Sequence, residues 1–297
     1  MKMIDLLKNS RLSLSFEVFP PKTEMGFESV RVATEEIARL RPAFMSVTYG
    51  AGGGTSRYTL DIAKNIKEMY DVPTLAHLTC VSSTRETVKE KIRAIREAGI
   101  ENVMALRGDI PAGMEQEDRS RWDYRYAIDL VRELKEENPD FCIGGACYPE
   151  IHPESSNQKE DIRHLKEKVD AGCDFLTTQM FFDNNIFYNY LYRIREAGIM
   201  VPIVAGIMPV TNAKQMERIL KLSQAFIPRR FVSLLDKFSD NPAAMRQAGI
   251  AYATDQIIDL LANGINGIHI YTMNKPETAS KIQDNLSAIV PSCNKAE

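Results

Sequence analysis

The chain is predicted to belong to the α/β class, as a (β/α)8 barrel folded in a single domain, and three observations carry the prediction. Its apolar residues fall into eight short strand-like runs that alternate with helical runs. Each connection is long enough for the crossover that a parallel pair requires. Polar residues gather at the carboxyl ends of the strand runs, where parallel barrels carry their sites. An open, doubly wound sheet is the alternative that the same alternation allows.

The first strand is read from SLSFEVFPPK. Leu12, Leu14, Phe16 and Val18 alternate with Ser13, Ser15, Glu17 and Phe19, the period-two pattern of a strand with two unlike faces. Pro20 and Pro21 stop it, because neither can donate to a sheet ladder. Glu17 is thereby placed on the small, polar face at the carboxyl end. A helix follows over Phe27 to Arg41, closed by Pro42, and then strand two, FMSVTYG, Phe44 to Gly50. Past the glycines Gly50, Gly52, Gly53 and Gly54 come a helix from about Arg57 to Tyr70 and strand three, Pro73 to Cys80. Thr84 is a plausible N-cap for a helix that ends near Gly99, and NVMALRGD, Asn102 to Asp109, is strand four.

A polar loop, DIPAGMEQEDRSR, leads to a helix from about Trp122 to Glu137 and strand five, CIGGACYPE. Helices over about Lys159 to Ala171 and Ile186 to Ala197 flank strand six, FLTTQMFF, and precede strand seven, PIVAGIMPV. The pattern then loosens into Ala213 to Leu222, a segment around Phe231 to Phe238 and a long helix from about Pro242 to Ala262. GIHIYTMN, Gly267 to Asn274, is strand eight, and Glu277 to Leu286 the last helix. Beyond this alternation there is no internal repeat, no low-complexity tract and no linker of the Pro, Gly or Ser kind.

Composition removes several function classes. A formal net charge of -3 over 297 residues gives no basic footprint, so no nucleic-acid partner is expected. No apolar run reaches the length of a bilayer span, and MKMIDLLKNS lacks the core and cleavage site of a secretory signal, so no membrane association and a cytoplasmic location are expected. The 5 cysteines are odd in number and form no CxxC pair, which argues against a disulfide framework or a zinc site. No metal is expected.

At the strand ends stand Glu17, Thr48, His77, Thr79, Arg107, Asp109, Tyr148, Glu150, Gln179 and Tyr271. Pairs such as Arg107 with Asp109, or Thr177 with Gln179, are two apart and share a face of their strand. Each also has a plain structural reading. His77 suits a satisfied core histidine, Asp109 a turn, and the aromatics of FFDNNIFYNYLYR the buried face of a helix. Gln179 points to function more firmly, since a buried amide needs partners for its oxygen and its hydrogens. There is no GxSxG elbow, no P-loop and no GxGxxG after the first strand. What remains is a wide polar mouth with carboxylates Glu17 and Asp109 on different strands, suited to proton transfer beside a bound organic cofactor or substrate.

Taken together and in order, FEVFPPK, SVTYGAGG, AHLTC, ALRGDIP, YPEIHPE, LKEKVDAG, TTQMFFD, GIMPV and HIYTMN resemble the methylenetetrahydrofolate reductase family, over about Leu12 to Leu286. The family fold is a (β/α)8 barrel, and the length resembles the short bacterial form, without a C-terminal regulatory domain. The resemblance implies FAD at the barrel mouth, reduced by NAD(P)H and oxidised by a small-molecule folate in a ping-pong cycle, in a homo-oligomer. It implies that Glu17 is the acid that assists ring opening at N10, that Asp109 lies near flavin and pterin, and that Gln179 and Lys275 contact the folate. For the cofactor it points to Thr48, His77, Arg107, Gly108, Asp109, Tyr126, Tyr148, His152, Asp161 and Lys168. An apolar setting from Phe16 and Phe19 is expected around Glu17. Ala213 and Ile219 lie in a helix where some members carry phenylalanines that pack near the nucleotide. A flavin-free or protein-driven relative, and a non-catalytic folate-binding barrel, are the competing readings.

Overall fold

The computed structural model describes residues 1–9, 11–21, 23–49, 56–110, 113–114, 122–223 and 225–294. The glycines at 50 and 52–54 and most of the polar loop at 109–121 lie outside the described residues. In chain order the elements are α1 (Met3–Lys8), β1 (Ser13–Val18), α2 (Phe27–Ala38), β2 (Met45–Val47), α3 (Ser56–Tyr70), β3 (Thr74–Thr79), α4 (Arg85–Glu97), β4 (Asn102–Leu106), α5 (Ala127–Glu137) and β5 (Cys142–Cys147). They continue with α6 (Gln158–Asp170), β6 (Phe175–Thr178), α7 (Asn184–Glu196), β7 (Ile203–Ile207), α8 (Ala213–Ser223), α9 (Arg229–Phe238), α10 (Pro242–Ala262), β8 (Gly267–Tyr271), α11 (Pro276–Asn285) and α12 (Ile289–Cys293). The eight strands pair in sequence order, all parallel, and β8 closes on β1. The barrel is therefore closed, and the open sheet is set aside.

Strand alternation sorts the side chains. Leu14, Phe16 and Val18 of β1 join the large cluster under the helices, with Val47, Ala76, Leu78, Val103, Ala105, Ile143, Ala205, Ile207, Ile268 and Ile270 from the other strands. The alternate residues fill the barrel. Its floor is apolar, built of Phe44, Leu75, Met104, Cys142, Phe175 and Val204. Phe175 crosses this space because β5 offers Gly144, where a Cβ would stand 2.6 Å from the Phe175 ring. Helix α1 stops the floor from below, with Met3 fully buried against it and the Met3 N–H donating to Asn102 Oδ1 at 2.8 Å. That helix is a finding of the structure. Its six residues are too few to show a period, and only the cavity they plug makes them helical.

One further difference from the sequence reading has a local cause, and the segments expected at Ala213 to Leu222 and around Phe231 to Phe238 prove to be helices. Helix α5 begins at Ala127, five residues after the expected start at Trp122, because the Asp129 carboxylate accepts the N–H groups of Arg125 and Tyr126 and fixes the first turn there. Between β7 and β8 the chain adds α8 and α9 before α10, and Phe182, Val210, Met216, Phe231 and Met245 bury a separate core beside the barrel. Thr84 caps α4 as expected, accepting from the Thr87 N–H at 3.2 Å.

Candidate active site

Above the apolar floor, the barrel interior turns polar. Ser15 and Glu17 of β1, Ser46 of β2, His77 of β3 and His269 of β8 all occupy inward positions, and the register sets Glu17 level with Ser46 on one side and Tyr271 on the other. Glu17 Oε2 lies 3.7 Å from His77 Nε2, 3.9 Å from His269 Nε2 and 3.4 Å from Ser46 Oγ. Its neighbours are thus hydroxyls and imidazoles. The expected apolar setting is corrected in part: Phe16 faces the opposite way, into the helix layer, as its place on the alternate face of β1 requires.

Burial controls the charge of these groups. His77 is 8 % exposed, and desolvation drives its imidazole down to about 4, against the weaker attraction of Glu17. It is neutral at physiological pH, and its Nε2 has no hydrogen-bond partner among the described residues. Tyr271 is held well above the usual phenol range by burial and by the Glu17 charge, and its hydroxyl donates to the Thr178 carbonyl at 2.6 Å. Gly206 makes room for that ring, since a Cβ there would sit 2.4 Å from the Tyr271 hydroxyl.

Over this layer opens a cavity of about 400 Å³, lined by Glu17, Thr48, His77, Arg107, Gly108, Asp109, Tyr148, His152, Gln179 and Tyr271 among others. Gln179 is anchored by its N–H to the Cys147 carbonyl at 2.7 Å, while its Oε1 accepts from Met180 N–H. Gly108 adopts φ +89°, and a Cβ on it would meet Thr79 at 2.9 Å, so glycine is required for the chain to turn against β3. A second cavity of about 320 Å³ runs outward between α5 and α6 and is lined by Arg107, Tyr126, Tyr148, His152, Asp161 and Lys168. Leu106, Arg107, Ala146, Tyr148 and His152 line both. One cleft with two chambers results.

The outer chamber is held in shape by its own polar contacts. Asp161 accepts from His152 N–H and from the Ser155 hydroxyl, each at 3.3 Å, and so fixes the loop after β5. Burial raises the Asp161 carboxyl and lowers the His152 imidazole. Tyr148 and His152 meet edge to face at 4.7 Å. Arg107 pairs with Glu154 at 2.6 Å, and Lys168 donates to the Ala146 carbonyl. Lys275 stands at the far side of the mouth, its ammonium on Thr211 Oγ1 at 2.8 Å and its pKa lowered by burial. It does not line either chamber. Twelve of the thirteen sequence-predicted site residues therefore converge on one cleft, and Lys275 lies apart from it.

Sequence reasoning passed over Ser15, Ser46 and His269. Their signal was present as a serine two residues before Glu17 and a histidine two before Tyr271, positions that share the inward face. Among the described residues no cluster of three or more His, Cys, Asp or Glu side chains is placed to hold a metal ion.

A closed parallel barrel with ionisable side chains and a two-chambered cleft at the carboxyl ends of the strands defines the class: a (β/α)8 barrel organised around a mouth site. Within that class, the chain belongs to the methylenetetrahydrofolate reductase family, whose profile matches residues 2–287. It is 37% identical over 97% of its length to methylenetetrahydrofolate reductase (NADH) 1 of Zea mays, of which it covers 50%. It is 36% identical to the 5,10-methylenetetrahydrofolate reductase of Pectobacterium carotovorum, covering 92% of this chain and 89% of that one. The chain thus spans about half the length of the plant relatives it matches and nearly all of the bacterial ones. Among solved structures, an uncharacterized protein from Clostridium thermocellum that binds two copies of 5-methyl-5,6,7,8-tetrahydrofolic acid shares the fold, with a TM-score of 0.66 at 17% identity over 97% of this chain and 100% of that one.

Proposed function

We propose that this chain is a single catalytic barrel that reduces 5,10-methylenetetrahydrofolate to 5-methyltetrahydrofolate, with FAD as its cofactor and NADH or NADPH as the reductant. The observation that carries the reading is the two-chambered cleft with Glu17 at its base and Asp109 and Gln179 on its wall. NADH is the first donor to try, because plant relatives carry that nucleotide in their names.

The cleft fits a flavin dinucleotide on its own features. Its inner chamber holds an unpartnered buried nitrogen, His77 Nε2, and a glycine turn at Gly108 that lets a flat ring approach the backbone. The outer chamber presents Arg107, His152 and Lys168 to phosphates, Asp161 to a ribose, and Tyr126, which is 53% exposed, to a base. Thr48, Asp109 and Tyr148 complete the inner wall. When bound, FAD supplies the two-electron chemistry that the side chains of this protein lack.

The side chains do the rest. Glu17 holds a proton at the base of the cavity and delivers it to N10 of the folate, breaking the N10–methylene bond and leaving a cationic C=N at N5 that is ready for reduction. Asp109, at the open side of the cavity, offers a carboxylate to the pterin N–H groups. Gln179 supplies an amide to the same ring, and Lys275, beside the mouth, a cation for the folate glutamate. Purified protein given FAD, NADH and methylenetetrahydrofolate should release 5-methyltetrahydrofolate. Folate binding without turnover, with either nucleotide, would contradict the assignment and favour a folate-binding barrel.

A further inference from the structure

The outer chamber carries an ion pair that the proposed chemistry does not yet use. Its lining holds three carboxylates, Glu154, Asp161 and Glu167, against two permanent cations, Arg107 and Lys168. His152 adds no charge to that balance. Its Nδ1 accepts the Glu154 N–H at 3.1 Å, and burial together with the Arg107 charge lowers its pKa. A chamber lined in this way is acidic on balance, which is the wrong sign for a phosphate.

Two of the three acids are engaged elsewhere. Asp161 accepts from the His152 N–H and the Ser155 hydroxyl, and Glu167 pairs with Arg163 at 2.7 Å along α6. Among the described residues, Glu154 is the lining acid that reaches a lining cation: its Oε2 lies 2.6 Å from Arg107 Nη1. The pair joins the chain after β4 to the loop after β5, at the junction where Arg107 lines both chambers. The loop backbone is fixed, since the Ser155 N–H donates to the His152 carbonyl at 2.9 Å and Asp161 holds the same turn. The carboxylate is not so fixed. The Glu154 side chain is 34% exposed and that of Arg107 19%, so the acid can turn to water while the guanidinium stays in the cleft. There Arg107 Nε also donates to the Gly108 carbonyl at 3.4 Å, a contact that does not depend on Glu154.

We infer that Glu154 is an exchangeable counter-ion of Arg107: it holds the guanidinium when no phosphate does and yields it to a phosphate of the dinucleotide, so that this acid sets how tightly the cofactor is bound. The inference rests on the proposed reading of the outer chamber as the site of the dinucleotide phosphates. Two costs fall on a phosphate that enters. It must replace the Glu154 attraction for Arg107, and it meets the repulsion of the Glu154 charge for as long as that charge remains nearby. Both vanish when the carboxylate becomes an amide. Removing the acid should therefore tighten binding, whereas an acid that served to orient Arg107 for the phosphate would weaken binding on removal. The sign of the effect separates the two roles.

Titration of FAD, ADP and riboflavin into wild-type and Glu154→Gln protein, each freed of bound flavin, tests it. FAD and ADP should each bind about fivefold more tightly to Glu154→Gln, the upper end for a partly exposed ion pair. Riboflavin, which has no phosphate, should bind the two proteins equally. Glu154→Ala, which removes the charge without leaving an amide, should behave as Glu154→Gln does. Unchanged or weaker binding of FAD and ADP would overturn the inference, and so would riboflavin that tightens as much as FAD. ADP that tightens in a protein taking up no FAD would count against the proposed cofactor and leave the exchange standing. FAD that binds wild-type and Glu154→Gln protein alike would leave the cofactor standing and remove the exchange.

Discussion

Glu17 and Asp109 differ in their surroundings, and that difference separates their roles. Glu17 is sunk among Ser46, His77 and His269, while Asp109 is exposed at the rim of the same cavity. Glu17→Gln is expected to accept electrons from the nucleotide while reducing folate at least a hundredfold more slowly, on the order of the contribution of a general acid. Separate measurement of the two half-reactions checks it, and equal loss of both would remove Glu17 from the role. Asp109→Asn should change both half-reactions if, as proposed, its carboxylate at the cavity wall faces both flavin and pterin. His77 predicts a pH dependence of stability. Its folded pKa, about 4, lies below the usual 6.5, so between those values the unfolded chain binds more protons and stability falls as pH falls. The loss across the window is roughly 3 kcal/mol, and urea titrations at pH 7 and pH 4.5 should show it shrinking in His77→Gln.

At the scale of elements, the strands were the most legible part of the sequence. Each is a short apolar run between helical stretches, and in β1, where the two faces differ, the small polar face became the barrel interior and the apolar face the helix contact. Helix α1 was illegible because its reason for existing is tertiary: Met3 fills a hole at the floor, among Phe44 and residues of β3 to β7. Met3→Ala is therefore expected to cost about 2–4 kcal/mol in denaturant unfolding, the range for emptying a buried methionine site; a loss under 0.5 kcal/mol, by the same scale, would show α1 to be a detachable arm. Helix α10 offers a second test. A Cβ on Gly249 would lie 1.8 Å from the Val210 carbonyl, so the helix reaches the end of β7 only because this position lacks a side chain. Gly249→Ala should destabilise the protein by about 1–3 kcal/mol or more, despite the better helix propensity of alanine. An unchanged unfolding midpoint would mean that α10 packs less closely than described.

At the scale of the whole molecule, the barrel brings together side chains from β1, β3, β4, β5, β6 and β8 that lie as far apart in sequence as Glu17 and Tyr271. Strand-end position made most of these residues legible, because a parallel barrel sends every strand end to one rim. Depth was not legible. Nothing in SVTYG or GIHIY announces that Ser46 and His269 meet across β1 below the acid, since that contact depends on how the closed barrel staggers its strands. Lys275 shows the opposite limit: the family resemblance implied a folate contact there, and the side chain stands beside the cleft, on Thr211. No helix among the described residues is long and apolar enough to cross a membrane.

The central claim is a flavin cycle between a nicotinamide nucleotide and a folate in one cleft, and an anaerobic absorption spectrum tests it most directly. Protein supplied with FAD is titrated with NADH, and methylenetetrahydrofolate is then added to the same cuvette. The account predicts a flavin band that bleaches with NADH and returns with the folate. No flavin band on the protein after FAD is added, or a bleached band that the folate fails to restore, would contradict it.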